Sequence, residues 1–332
     1  IGGPMYALER GLKQKWLGIL FALFAGFACF GIGNGTQGNS ITGMVNDTFG
    51  VSPYITGAIL TILTGVVIIG GVKSIAKVCE KLVPFMAGFY IIGCIIILIL
   101  NHAYVLDALK LIVSSAFTPK AAGGGFIGST VMMAIRFGIA RGLFTNEAGL
   151  GSAPIVDAAA STRNPVRQGL IAMTGVFWDT VIVCALTGLV LVSSILRNPD
   201  GMSGLSGGAL SSAAFANIPV VGPIVLTVGL ICFAWSTILG WSYYGERCWV
   251  YLCGQKAIMP FRIIYTLVVF VGSVMTLDAV WGIADILNAS MAFPNLVALL
   301  GLSGVIASET KKYLFDDNMD GWSDDEIPVV DK

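Results

Sequence analysis

Eight apolar runs leave this chain one environment in which to fold. They extend from Trp16 to about Val45, Pro53 to Val72, Val78 to Leu100, Ser129 to Ala160, Val166 to Leu196, Val220 to Leu252, Phe261 to Thr276 and Ala279 to Ala307. A helix needs roughly 20 apolar residues to cross the ~30 Å hydrocarbon core of a bilayer, and a single soluble core cannot hide so many runs of that length. The composition agrees, with 56% apolar and 11% charged residues and a mean hydropathy of +0.85. In lipid every backbone N–H and C=O must be satisfied internally, so the runs read as helices. The expected fold is an all-α polytopic membrane protein of eight spans. The first, fourth, sixth and eighth runs exceed the bilayer requirement, which implies tilt or breaks.

The charges sort by side. Alternating eight spans places fourteen of the nineteen Lys and Arg residues on one side, Lys15, Lys73, Arg167, Arg247 and Arg262 among them. Only Lys110, Lys120 and Arg197 fall on the other, and Arg136 and Arg141 lie inside the fourth run. The positive-inside rule puts both ends of the chain in the cytoplasm. The chain starts without methionine or signal peptide, so the numbering is expected to begin inside a longer protein. Residues 1–312 read as the transmembrane domain and 313–332 as an acidic cytoplasmic tail. Asp316, Asn318, Asp320 and Gly321 match the front of a calcium loop, but Ile327 stands where the bidentate glutamate belongs, which favours a solvated tail. The connections Asn101 to Gly128 and Arg197 to Gly222 read as external loops.

Four places put polar groups at membrane depth. The most informative is Arg136 to Ala160, where Asn146-Glu147, Gly149, Gly151 and Pro154 interrupt an apolar helix. Glycine weakens a helix by about 1 kcal/mol and proline removes a donor, so two half-helices joined by unwound backbone are expected. Such breaks in lipid are tolerated where they line a cavity, and they commonly mark binding sites. Amides around Gly149 to Ser152 suit a carboxylate, and carbonyls around Phe144 to Asn146 suit a cation or an ammonium. A kink serving only packing is the alternative.

The second place is Gly33-Asn34-Gly35-Thr36-Gln37-Gly38-Asn39-Ser40, where side-chain amides can both donate and accept. The third is Trp235-Ser236-Thr237 through Trp241, whose adjacent hydroxyls are hard oxygen donors of the kind Na⁺ takes. Trp241 lies one turn beyond Thr237 and is placed to wall a small pocket. Interhelical hydrogen bonding competes for the second place and back-bonding to the helix for the third. The fourth is Asp179, which reads mainly as one half of a buried pair, with Arg136, Arg141, Asp278 and Asp285 as groups it can couple to.

Enzyme chemistry has little material here. The single histidine, His102, ends an apolar run, no H-E-x-x-H occurs, and the seven cysteines form no C-x-x-C. Neither a disulfide framework nor a bound metal is implied.

The segments GLFTNEAGLGSAP, NPVRQGL, TILGWSYYGERC and KLVPFMAGFY resemble the alanine/glycine:cation symporter family, and the resemblance covers the chain to about Tyr313. It implies sodium-coupled amino-acid transport on a leucine-transporter-like fold of ten core helices in two inverted repeats. On that plan the broken run is core helix six, the first run core helix three and the sixth run core helix eight. A peripheral helix and core helices one and two would precede this chain. The resemblance further implies substrate contacts from Gln37, Phe144, Asn146, Thr237 and Trp241, to which the amides at the break add Gly149 and Gly151, and a sodium site using Ser236 and Thr237. Na⁺ would be the coupling ion, with no other cofactor and no nucleic-acid partner. A non-transporting amino-acid receptor or scaffold of the same fold, and a proton-coupled transporter with Glu147 or Asp179 as its titrating group, are the alternatives.

Overall fold

The computed structural model describes residues 2–117, 142, 144–162, 164–205, 207–219, 221–316 and 318–321. Among them the chain is helical with no strand. The helices are α1 (Lys15–Phe49), α2 (Pro53–Ile69), α3 (Gly71–Leu100), α4 (His102–Phe117), α5 (Ala153–Asp157), α6 (Pro165–Arg197), α7 (Pro199–Met202), α8 (Gly207–Phe215), α9 (Val221–Cys253), α10 (Ile258–Val274), α11 (Leu277–Gly301) and α12 (Ser303–Thr310).

Six helical stretches, in α1, α3, α6, α9, α10 and α11, are long and apolar enough to cross a membrane. Ile62, Val66 and Ile99 remain more than 60% exposed, the outward apolar surface that belongs in lipid. The chain is a multi-pass membrane protein. The second expected span, α2, has 17 residues, about 26 Å of helix and just under a bilayer core. The first part of the fourth expected span, residues 129–141 with Arg136 and Arg141, lies outside the described residues.

Three boundaries differ from the sequence expectation. The third helix starts at Gly71, directly after a turn at Gly70, and not at Val78. Lys73, Lys77 and Lys81 recur every four residues and form its exposed face, so charges that read as a loop are the wet side of two helical turns. Asn101 to Phe117, read as loop, forms α4, which packs against α6. The Gly/Ser-rich stretch after Arg197 is partly ordered as α7 and α8, with Asn198 Oδ1 capping α7 by accepting from Gly201 N at 3.2 Å.

The polar contacts sort the helix ends into two groups. At one end the Arg262 guanidinium donates to Glu246 Oε2 (2.6 Å) and to the Ile69 carbonyl (3.1 Å), and Arg247 donates to Glu246 Oε1 (2.7 Å). Tyr251 donates to Glu9 at 2.7 Å, and Lys15 pairs with Glu9 at 3.5 Å. At the other end Arg197 bonds Asn101 Oδ1 (2.9 Å), Asn39 donates to the Met275 carbonyl (2.6 Å), and Thr48 meets Thr227 (2.8 Å). Helices α1 and α10 therefore run one way and α2 and α9 the other. Lys15, Arg247 and Arg262, assigned to one side by charge counting, do share an end.

Helix α1 is the hub, packed against α9, α10 and α11. Midway it passes through a π-helical turn, Gly31–Gly35, whose residues are all buried. Small residues let neighbours close on it. Asn34 donates to the Tyr265 carbonyl (2.8 Å), and the Tyr265 hydroxyl donates to the carbonyls of Ile238 (3.0 Å) and Gly33 (3.3 Å). Tyr265 thus ties α1, α9 and α10 together from a fully buried position. Tyr265→Phe keeps the ring and leaves those carbonyls without the hydroxyl, so it should destabilise by about 1 to 3 kcal/mol. A thermal unfolding midpoint in detergent, clearly below that of the parent, is the expected result.

Candidate functional site

The break expected after Phe144 is present. Backbone turns occupy Asn146–Leu150, residues 151–152 are irregular, and α5 begins at Ala153. Gly149 and Gly151 have φ of 75° and 83°, the left-handed region that only glycine enters freely. Gly151 also has no room for a side chain, since a Cβ there would stand 2.6 Å from Pro4 and 2.7 Å from Asn295. Glu147 adopts φ 51° without being glycine.

The freed backbone groups are largely reassigned. The Gly142 carbonyl accepts from Asn146 N (3.2 Å) and Nδ2 (3.0 Å), and the Phe144 carbonyl from Glu147 N (3.1 Å). The Gly149 carbonyl accepts Asn295 Nδ2 from α11 at 2.9 Å. Where the amides of Gly149 to Ser152 were expected to receive a carboxylate, the chain supplies one of its own: buried Ser152 donates to Glu147 Oε2 at 2.6 Å.

Trp241 is 3% exposed and lies on Gly33 of the π turn, where an added Cβ would meet its Cβ at 2.1 Å. It stacks edge-on with Tyr244, ring centroids 5.3 Å apart. The indole therefore packs directly on the first helix, filling the space it was expected to wall. One turn before it, Thr237 and Ser236 are half-buried, and both hydroxyls donate to the Phe233 carbonyl at 2.9 Å. Back-bonding is thus real, and it occupies their protons while leaving oxygen lone pairs to accept.

Gln37 is half-buried and donates to the Ile32 carbonyl at 3.2 Å, an acceptor that Thr36 shares. Asn34 and Gln37, three residues apart, would share a face of a regular α-helix, but they part company because the π turn intervenes: Asn34 turns to α10, Gln37 back along α1. Phe144 packs at the edge of the core cluster that contains Trp241. Asn146 is held from α6, with Thr180 donating to its Oδ1 at 2.9 Å. Asp179, the neighbour of Thr180, is half-buried in a π-helical stretch of α6; its candidate partners Arg136 and Arg141 lie outside the described residues. Trp241 is thus set on Gly33, Gly149 and Gly151 are set against α11 at Leu296 and Asn295, and Asn146 is held from the α6 side.

Two residues that hold these pieces escaped sequence reasoning. Asn295 follows Pro294 within an apolar helix, and a polar group in that position was the available signal. Tyr265 carried none, because one tyrosine in an apolar run is ordinary.

Comparison with known proteins fixes the family. The model of the sodium:alanine symporter family matches residues 1–325. The chain belongs to that family. It is 51% identical over 316 residues to the sodium/alanine symporter AgcS of Methanococcus maripaludis, covering 94% of this chain and 69% of that protein. An uncharacterized transporter of Haemophilus influenzae is 50% identical over 330 residues, covering 98% and 72%. The probable sodium/glutamine symporter GlnT of Bacillus subtilis is 34% identical over 314 residues, covering 94% and 64%. The TNEAGLGSAP break, which leads into α5, and the TILGWSYYGERC stretch belong to two elements that pack together, α5 and α9, and both are among the segments that carried the sequence resemblance.

Proposed function

We propose that this chain carries out Na⁺-coupled symport of small neutral amino acids, alanine or glycine, by alternating access on a leucine-transporter-like inverted-repeat bundle in the cell membrane, with its ends in the cytoplasm. The observation that carries the reading is the glycine-broken segment Asn146–Ser152, whose continuation α5 packs against α9, the helix that carries Ser236, Thr237 and Trp241. Irregular backbone at that depth is stable only where protein or an aqueous cavity satisfies it, and it presents both carbonyls and amides to a zwitterion. Gln37, Phe144, Asn146, Gly149, Gly151, Thr237 and Trp241 contact substrate, and the oxygens of Ser236 and Thr237 take Na⁺. Relatives named as sodium/alanine and sodium/glutamine symporters support both the ion and the solute class. Sodium binding favours the outward-open state, substrate completes the site, and the repeats rock to expose it inward.

Uptake of labelled alanine into liposomes containing the full-length protein, with and without a sodium gradient, tests the reading. Accumulation only with the gradient is expected; equal uptake without it removes the sodium-coupled reading. Thr237→Val preserves shape while deleting one hard oxygen. It should raise the half-saturating sodium or alanine concentration by about 5- to 150-fold, the equivalent of roughly 1 to 3 kcal/mol. Unchanged values for both would return Thr237 to its back-bonding role alone.

A further inference from the structure

The segment Pro4–Gly11 closes the basic end of the helix bundle. It is an α turn, Pro4–Tyr6, running into a π turn, Ala7–Gly11, and its Met5 and Leu8 are fully buried. The fit is close on several sides. An added Cβ would stand 2.6 Å from Ala158 Cβ at Gly2, 2.9 Å from Ile155 at Gly3, and 2.6 Å from Pro4 at Gly151 of the break. On α1, a Cβ at Gly18 would lie 2.7 Å from the Met5 carbonyl oxygen and 2.8 Å from the Tyr251 hydroxyl of α9, and at the end of α11 one at Gly301 would lie 2.8 Å from Leu12. These residues are therefore wedged between α1, α5, α9 and α11. Pro4, in contact with Gly151, stands between the break and the end where Lys15, Arg247 and Arg262 gather.

Its polar fastenings lie at the outer edge. Tyr251 donates to Glu9 at 2.7 Å, Lys15 pairs with Glu9 at 3.5 Å, Tyr6 meets the Tyr251 ring edge-on at 5.1 Å, and the Arg10 guanidinium lies 5.5 Å over Tyr6. Contacts that reach water are broken and remade easily. The backbone is left-handed on both flanks, at Gly3 with φ 119° and at Lys13 with φ 56°, and hinges are residues at element ends that absorb such dihedral changes. We propose that Pro4–Gly11 is the gate on the cytoplasmic side, separating from α5 to release substrate and returning to seal the site. The inference rests on the alternating-access reading above.

A reversible cross-link tests it. G2C/A158C sets two thiols on opposing Cβ atoms, and joining them asks the segment to ease outward by only about 1 Å, to the usual disulfide spacing. The pair is placed in the full-length protein in liposomes, and sodium-driven uptake of labelled alanine is read after oxidation with copper phenanthroline and again after dithiothreitol. Each single variant, oxidised alike, accounts for the native cysteines. Oxidation of the pair should abolish uptake, reduction should restore it, and the single variants should keep parental rates. Alanine binding in sodium should persist in the oxidised pair, because the site still opens to the other side. Met5→Cys gives a second measurement, which stands even if the pair fails to fold. Its buried thiol is open to a membrane-impermeant maleimide only when the segment lifts, and the adduct is read by mass at that residue. Labelling should be slower in sodium than without it, and should respond to alanine.

Parental uptake by a pair shown by mass to be cross-linked, or Met5→Cys labelling indifferent to sodium and alanine, overturns the gate and leaves Pro4–Gly11 as a fixed plug. Symport and gate can fail separately. Sodium-driven uptake undiminished by the cross-link would keep symport and remove the gate, whereas labelling that responds to alanine in a protein without sodium-driven uptake would keep the gate and remove symport.

Discussion

Gly33→Ala should abolish uptake and sharply lower the amount of folded protein. A Cβ at this position would lie 2.1 Å from Cβ and 2.2 Å from Cγ of Trp241, distances at which α1 and α9 must move apart. Moderate overpacking of a core costs about 1 to 3 kcal/mol, and this contact is more severe because it engages the first atoms of the opposing side chain. Separation would also lengthen the bonds from Tyr265 to Gly33 and Ile238. Fluorescence-detected size exclusion reports the folded fraction, and alanine uptake at matched expression reports activity. W241A retains its Cβ and should not rescue the variant. Parent-like folding and uptake in G33A would show that α1 and α9 do not meet here as described.

The next largest effect is expected at the ion cluster where α2, α9 and α10 end. Glu246 has 6% of its side chain exposed and accepts from both Arg262 and Arg247, whose side chains are 14% and 25% exposed. Glu246→Ala leaves two guanidinium groups without their carboxylate. Removing one partner of a buried pair costs about 3 to 5 kcal/mol, whereas replacing the whole set by apolar groups can be neutral. Arg262 is the more affected, for Arg247 also lies over the Tyr243 ring at 4.9 Å. A fall of several degrees in the unfolding midpoint is expected for E246A, with part of it recovered in E246A/R262M. A midpoint unchanged in E246A would mean that both arginines reach water freely and that the cluster is electrostatically idle.

Much of this arrangement was legible in the sequence, and for physical reasons. Glycines at 149 and 151 weaken helix wherever they occur, so the break announced itself. The asymmetric distribution of Lys and Arg anticipated that Lys15, Arg247 and Arg262 share an end. Where reading failed, the deciding force was tertiary. Lys73 and Lys77 looked like a loop because charge was weighed before the four-residue period they share with Lys81. The separation of Asn34 from Gln37 depends on a π turn, which has no propensity signature and arises from packing against α9, α10 and α11. Likewise, no sequence pattern showed that the Glu147 carboxylate would fold back onto the Ser152 hydroxyl beside the amides expected to receive a carboxylate. Thr237 and Ser236 were found with the back-bonding that composition had offered as the competing account.

That π turn has a bearing on how length is read in this family. Closing a ring five residues apart in place of four accommodates one residue more than a regular α-helix would, and each residue of an α-helix advances the surface by about 100°. Deleting one position between Gly31 and Gly35 would let the hydrogen bonds relax to a smooth helix while swinging the Thr36–Phe49 half around its axis by that amount. Asn39 would then leave the Met275 carbonyl and Thr42 the Ser273 carbonyl, contacts now made at 2.6 and 2.8 Å. The spacing of this stretch is consequently under tighter constraint than the identity of several of its side chains: sequence drift is absorbed here by substitution, whereas a gap would put the two halves of the helix out of phase.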